Sequence, residues 1–88
     1  MKINENYLLR TVAGQNLVVP VGAGMDFNAA ISLNETGAFL WRLLENGATE
    51  DSLTQAVLAE YTVSAEVAKA DVTAFLNKLR DNGILDEN

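Results

Sequence analysis

The sequence predicts an α+β fold of the winged helix-turn-helix kind, with three N-terminal antiparallel strands followed by a three-helix bundle. The hydrophobic pattern has a period of two within about residues 7–33 and a period of 3.6 within residues 34–83. Turn signals or helix-capping residues separate successive segments. No linker, repeat or low-complexity tract interrupts the 88 residues, so we expect a single domain over residues 1–88.

Three runs of residues predict the strands. Y-L-L-R-T-V at 7–12 alternates, and A-G-Q-N after it indicates a turn, since Gly14 and Asn16 are able to take positive φ. The run L-V-V-P-V is rich in β-branched residues, and Pro20 predicts an end or an edge there. After a loop with two glycines, F-N-A-A-I-S-L at 27–33 predicts a short third strand.

Three helices follow, and their expected N-caps are Asn34, Thr49 and Ser64. Asn46-Gly47 and Asn82-Gly83 indicate the ends of the first and third helices. Apolar residues at helical spacing predict the buried faces, with Ile84-Leu85 as a short extended piece after them. These residues are Leu33, Phe39, Leu40, Leu43 and Leu44; then Leu53, Val57, Leu58 and Tyr61; then Ala65, Ala68, Val72, Phe75, Leu76 and Leu79.

Composition excludes several classes of function. The chain has no Cys and no His, so thiolate chemistry, the usual general base and typical zinc or haem ligation are excluded. No Ca²⁺-loop motif is present, and we expect no catalytic activity, no metal and no cofactor. No apolar run approaches the ~20 residues that span a bilayer, and the N-terminus lacks a signal peptide. We therefore expect no membrane partner and a cytoplasmic location.

The charge distribution argues against nucleic acid as a partner. The net charge is −6, and all of it lies in residues 45–88, which contain nine acidic and three basic residues. A winged helix would place its third helix against DNA, and such binding depends on an excess of Lys and Arg. The charges of the third helix instead cancel: Lys69, Lys78 and Arg80 against Glu66, Asp71 and Asp81. The acidic half is either a solvated surface or one that suits a partner other than a polyanion.

The third strand and the third helix suggest a docking site for an extended peptide. The stretch N-A-A-I-S-L carries no charge to protect an edge, and its small residues would let an incoming strand approach. The third helix has a second flank beside its core stripe, formed by Val67, Asp71, Ala74 and Lys78. This flank could form one wall of a groove for the peptide. The candidate binding residues are Asn28, Ala29, Ala30, Ile31, Ser32 and Leu33 on the strand, and Val67, Asp71, Ala74, Phe75 and Lys78 on the helix. Alternatively, the strand is central or too short to matter, and the flank only widens the core.

Three motifs together resemble the PqqD family, named after the pyrroloquinoline quinone biosynthesis protein D. They are V-V-P-V-G at 18–22, L-N-E-T-G-A-F-L-W at 33–41 and D-V-T-A-F-L-N-K-L-R-D-N-G-I-L at 71–85. The resemblance extends from about Tyr7 to Leu85 in the family's order and spacing. It implies a non-catalytic recognition element for ribosomally made, modified peptides.

In this family the leader of the precursor is added as a strand beside the third helix, and the core peptide is presented to a modifying enzyme. For the namesake that partner is a radical SAM enzyme with iron–sulfur clusters. Carried over here, the resemblance implies pairing at 28–33 and a wall formed by the helical residues named above. The alternative is a structural interaction protein whose same edge pairs with a second copy to form a homodimer.

Overall fold

The computed structural model describes residues 1–21 and 30–87 and confirms the α+β fold. Its strands are β1 (Lys2–Ile3), β2 (Tyr7–Val12), β3 (Gln15–Pro20), β4 (Ile31–Leu33) and β5 (Leu85–Asp86). Its helices are α1 (Glu35–Leu44), α2 (Glu50–Glu60) and α3 (Ala65–Asp81). Of the predicted third strand, Ile31–Leu33 is extended in the sheet, and residues 27–29 lie outside the described residues.

Strands β2, β3 and β4 form an antiparallel sheet in that order. The β2–β3 hairpin closes through a two-residue loop in which Ala13 has φ 51° and Gly14 has φ 80°. Two successive positive φ values are those of a type I′ turn, whose twist matches the flanking strands. The predicted turn was therefore wrong at Asn16, which lies in β3 and accepts a hydrogen bond at 3.2 Å from the Thr11 hydroxyl.

The helices pack against one face of this sheet. From the sheet, Val18 and Leu33 enter the buried core, and Tyr7, Leu9 and Ile31 pack beside it. The helices supply the rest of the buried core, together with Ile84 after α3: Leu40, Trp41, Leu44, Leu53, Val57, Ala68, Val72, Phe75, Leu76 and Leu79. The alternation of β2 is therefore as predicted, since Tyr7 and Leu9 face the core whereas Leu8 and Arg10 are exposed.

All three predicted helix caps are confirmed. Asn34 Oδ1 accepts the Gly37 N–H at 2.7 Å, and Ser64 Oγ accepts the Val67 N–H at 3.2 Å. Thr49 and Ser52 form a reciprocal capping box, with both bonds at 3.0 Å. Each side-chain oxygen satisfies an N–H that has no partner within its helix, so these caps determine where the helices begin.

Two packing predictions need correction. Trp41 is fully buried although it was absent from the predicted stripe, because α1 is covered over a wider arc than one apolar stripe. Ala65 is exposed although it was placed on the core face, since it is the first residue of α3. One feature was missed altogether: β1 pairs antiparallel with β5, which joins the two ends of the described chain.

Candidate peptide-binding site

β4 is an edge strand within the described residues. It pairs with β3 on one side, through Val18 with Ile31, Leu17 with Ser32 and Asn16 with Leu33. No second described strand pairs with its other side. The structure thus answers the question of whether this strand is central: its far edge is open within the ranges described.

The turn determines which backbone atoms of β4 face that edge. In a type I′ hairpin the residues flanking the loop, Val12 and Gln15, form a hydrogen-bonded pair. Hydrogen-bonded and non-hydrogen-bonded pairs then alternate, so Asn16 and Val18 direct their N–H and C=O groups towards β4. Ile31 and Leu33 are the residues opposite them, whereas the N–H and C=O of Ser32 point away from β3.

A side chain of α3 already contacts this edge. Lys78 Nζ donates a hydrogen bond to the backbone oxygen of Ser32 at 2.9 Å. This contact is independent of the pairing register, and it agrees with a Ser32 carbonyl that faces away from β3. It also places α3 beside the open edge, as the peptide-slot hypothesis requires.

A groove lies between the end of β4, the start of α1 and one flank of α3. Its volume is about 240 Å³. Leu33, Leu40, Ala74 and Phe75 supply its apolar lining, and Asp71 and Lys78 bring one charge of each sign. Asn34, Thr36 and Gly37 complete the lining at the first turn of α1. The groove can therefore take an apolar side chain of a strand that lies along β4, with polar groups around it.

Gly37 keeps the corner between β4 and α1 tight. A Cβ atom at this position would lie 3.2 Å from Asn34 Oδ1 and 3.3 Å from Leu33 Cβ. Both distances are shorter than ordinary van der Waals contacts, and the residues that would have to yield form the N-cap and the wall of the groove. The first turn of α1 therefore approaches the end of β4 closely at Gly37.

The structure brings together most of the predicted helical residues and part of the predicted strand. Asp71, Ala74, Phe75 and Lys78 all line the groove. Val67 continues the same flank one turn earlier, but it is 46% exposed and does not line the groove.

On the strand side, Ile31, Ser32 and Leu33 form β4, and of the three only Leu33 lines the groove. Ala30 is half-buried and precedes the strand. Asn28 and Ala29 lie outside the described residues.

Sequence reasoning missed four lining residues: Asn34, Thr36, Gly37 and Leu40. The sequence did contain an indication for Asn34 and Gly37, because an N-cap followed three residues later by glycine indicates a tight helix start. Their side of the groove could not be inferred, since it depends on how α1 crosses α3.

Within the described ranges, no three carboxylates come together as a metal site, and no helix is long and apolar enough to cross a bilayer.

The chain belongs to the family whose model is described as coenzyme PQQ synthesis protein D (PqqD). That model matches residues 17–85, which include β3 from Leu17 onwards, β4, all three helices and the first residue of β5. The resemblance inferred from the sequence motifs is therefore confirmed. A search of curated proteins found no match.

Two solved structures are similar to the chain over nearly its whole length. One is TbiB1 in complex with the TbiA(beta) leader peptide, at 24% identity and a TM-score of 0.78, covering 100% of this chain and 98% of that one. The other is lasso peptide synthetase B1 complexed with the leader peptide, at 20% identity and a TM-score of 0.73, covering 94% and 93%. At these identities the likeness shows the fold.

Proposed function

We propose that this chain is a non-catalytic adaptor domain that captures the leader segment of a ribosomally made precursor peptide by strand addition to β4. It would hold the peptide for an enzyme that modifies it, such as a radical SAM enzyme. The observation that carries the proposal is the outward-facing N–H and C=O of Ser32 beside the α3 groove. An open strand edge next to side-chain pockets is an established way to bind an extended peptide.

Family membership and both similar structures support this proposal. The family name refers to a biosynthetic pathway, and each similar structure contains a leader peptide. The absence of Cys and His supports a role without catalysis. We also place the domain in the cytoplasm, where a ribosomal product is first available.

The expected affinity is modest because the peptide must be ordered. Pairing with a three-residue strand supplies few main-chain hydrogen bonds, each worth about 1 kcal/mol net. One apolar side chain in the groove adds about 1.5–3 kcal/mol on burial. These contacts alone give less than the roughly −8 kcal/mol of a low-micromolar to sub-micromolar Kd, and ordering the peptide lowers the net gain further. We expect a Kd in that range only if the peptide also makes contacts beyond Ser32 and the groove.

Amide hydrogen exchange tests where the peptide pairs. The probe is a synthetic leader from a short precursor encoded beside the gene for this chain. On binding, exchange at the Ser32 amide should slow, because its N–H gains a partner. The Ile31 and Leu33 amides should change little, since they already bond to β3. Protection confined to β2, or no binding of any neighbouring leader, would contradict the proposal.

A matched pair of proline substitutions tests the edge itself. Ser32→Pro removes the outward N–H of β4, and we expect it to weaken leader binding by about tenfold or more. Thr11→Pro is the control, because by the same alternation its N–H points away from β3 at the opposite edge of the sheet. It should leave the affinity within about twofold if thermal unfolding shows both variants folded. Equal effects of the two substitutions would argue against pairing at β4.

The open edge also favours a second candidate, in which β4 pairs with a second copy of the chain. Light scattering would then show a mass that rises with concentration, and a leader peptide would compete with association. A constant monomer mass would exclude this alternative.

A further inference from the structure

The contact between Lys78 and β4 has a consequence for which peptides can bind. Within the three residues of β4, the alternation leaves only the Ser32 carbonyl as an acceptor facing the open edge. In the described structure that oxygen already accepts from Lys78 Nζ at 2.9 Å. Lysine at an edge is a common protection against unwanted pairing. An added strand therefore meets an ammonium group at the position where its own N–H must bond.

The incoming strand has to displace this ammonium or accommodate it. Lys78 and Ser32 are both exposed, so the lysine side chain is free to swing towards the peptide while remaining at the mouth of the groove. A displaced ammonium beside a neutral strand loses an acceptor, whereas a carboxylate on the peptide replaces it with a stronger, charge-assisted bond.

We propose that Lys78 is a specificity-determining residue that selects an acidic side chain on the bound strand. This acidic residue lies next to the peptide residue opposite Ser32, and the inference rests on the proposed function. The lysine exchanges the Ser32 carbonyl for the peptide carboxylate as the strand pairs. In the free protein the same lysine protects the edge, so one side chain both closes the site and discriminates between peptides.

The other charges of α3 restrict this selection to one position of the peptide, the one beside Lys78. Asp71 lines the same groove seven residues earlier, about 10 Å along the helix axis, and would repel a second acidic residue there. Arg80 is held by Glu87 at 2.8 Å and by the Asn77 amide oxygen at 3.2 Å. The C-terminal half as a whole is acidic, which disfavours acidic peptides in general. A preference for one acidic residue would therefore reflect Lys78 and not the overall charge.

A charge-reversal selection tests the inference. A library of random twelve-residue peptides displayed on their messenger RNA is selected against the full chain, against Lys78→Glu and against Lys69→Glu. Lys69 is the matched control, since it lies on the opposite flank of α3 and its reversal changes the net charge equally. We expect one acidic position in peptides selected by the unaltered chain and by Lys69→Glu, and a basic residue at that position with Lys78→Glu.

Peptides from the selection then give the size of the effect. Replacing the selected Glu by Gln should weaken binding to the unaltered chain about three- to tenfold, and this loss should shrink at high salt. The same replacement should not weaken binding to Lys78→Glu.

Enriched peptides that protect the Ser32 amide but show no charge preference, or the same preference with Lys78→Glu, would overturn this inference and leave the proposed function standing. Failure to enrich any peptide that protects Ser32 would overturn both.

Discussion

At the scale of single residues, the Ala13-Gly14 turn determines the chemistry of an edge two strands away. Because the loop has two residues, Val12 and Gln15 form the closing pair, and every later pair in the sheet follows from it. If Val12 paired with Asn16 instead of Gln15, each β3 residue would reverse its hydrogen-bonding direction, and at the present β3–β4 register the Ser32 N–H would point towards β3. The binding proposal therefore depends on a turn that makes no contact with the groove.

Ala13 is not the preferred residue for this turn. It has φ 51°, a left-handed conformation that costs an ordinary side chain about 1 kcal/mol, whereas Asn tolerates it well. We expect Ala13→Asn to raise the free energy of unfolding by about 0.5–1 kcal/mol in urea denaturation. Ala13→Val is the matched control, and it should lower this free energy because a β-branched residue is strained at positive φ. A loss of stability in both variants would show that the turn is not type I′.

At the scale of secondary-structure elements, α3 contributes to two surfaces, the hydrophobic core and the groove. Its buried stripe, including Leu76 and Leu79, closes the core, and the adjacent flank of Asp71, Ala74 and Lys78 lines the groove. The two surfaces meet at Phe75, which is 7% exposed and belongs to both. Substitutions on the flank can therefore change the groove while the core stays intact.

Filling the groove from this flank should block the peptide without unfolding the domain. Ala74→Trp places a large side chain at an exposed position in the groove, and we expect leader affinity to fall by about tenfold or more. Ala70→Trp is the control, because Ala70 is exposed one turn earlier and does not line the groove.

Both variants should keep their free energy of unfolding within about 0.5 kcal/mol of the unaltered chain, measured in urea. Titration calorimetry with the leader gives the two affinities. Unimpaired binding by Ala74→Trp would place the peptide elsewhere.

At the scale of the whole molecule, the two ends of the described chain are joined. β1 pairs with β5, and the Asn4 N–H bonds to the Ile84 oxygen at 2.8 Å. The N-terminal ammonium bonds to the Ala48 oxygen at 3.0 Å. Arg80 and Glu87 form the one ion pair among the described residues, with side chains 35% and 52% exposed. Ile84 between them is fully buried in the core.

The burial of Ile84, and not the ion pair, should hold the C-terminal segment. Ile84→Ala removes fully buried methyl groups and should cost about 2–5 kcal/mol of unfolding free energy. Arg80→Ala removes an exposed ion pair and should cost about 0–1 kcal/mol. Urea denaturation of both variants gives the comparison. A larger loss in Arg80→Ala than in Ile84→Ala would reverse this assignment.

Local chemistry explains why much of the fold was predictable. The N-caps Asn34, Thr49 and Ser64 each bond to an N–H three residues ahead, so their effect can be identified within one turn of sequence. The stripe on α3 was predicted correctly apart from Ala65, because helical periodicity extends over 17 residues. The extended piece expected at Ile84-Leu85 overlaps β5, but its pairing with β1 was not predictable, since a two-residue strand has no period and its partner lies more than eighty residues away.

The candidate site was likewise predictable only where it depends on local pattern. The flank of α3 was predicted from the helical period as Val67, Asp71, Ala74 and Lys78, and the last three of these line the groove. Val67 was included on the same reasoning, but the groove ends before it. The contribution of α1 through Thr36 and Leu40 was missed, because a crossing between two helices depends on side chains from both.

The sequence by itself determined the class of fold, the starts of the helices, the family and the absence of Cys and His, because each depends on residue identity or on neighbours within a few positions. Only the tertiary structure decided that β4 is an edge in the described chain, that Ser32 presents its backbone outwards and that Lys78 reaches it. These features arise from strand order, pairing register and helix placement. The contact between Lys78 and Ser32 joins residues 46 positions apart, a separation at which local pattern carries no information about contact.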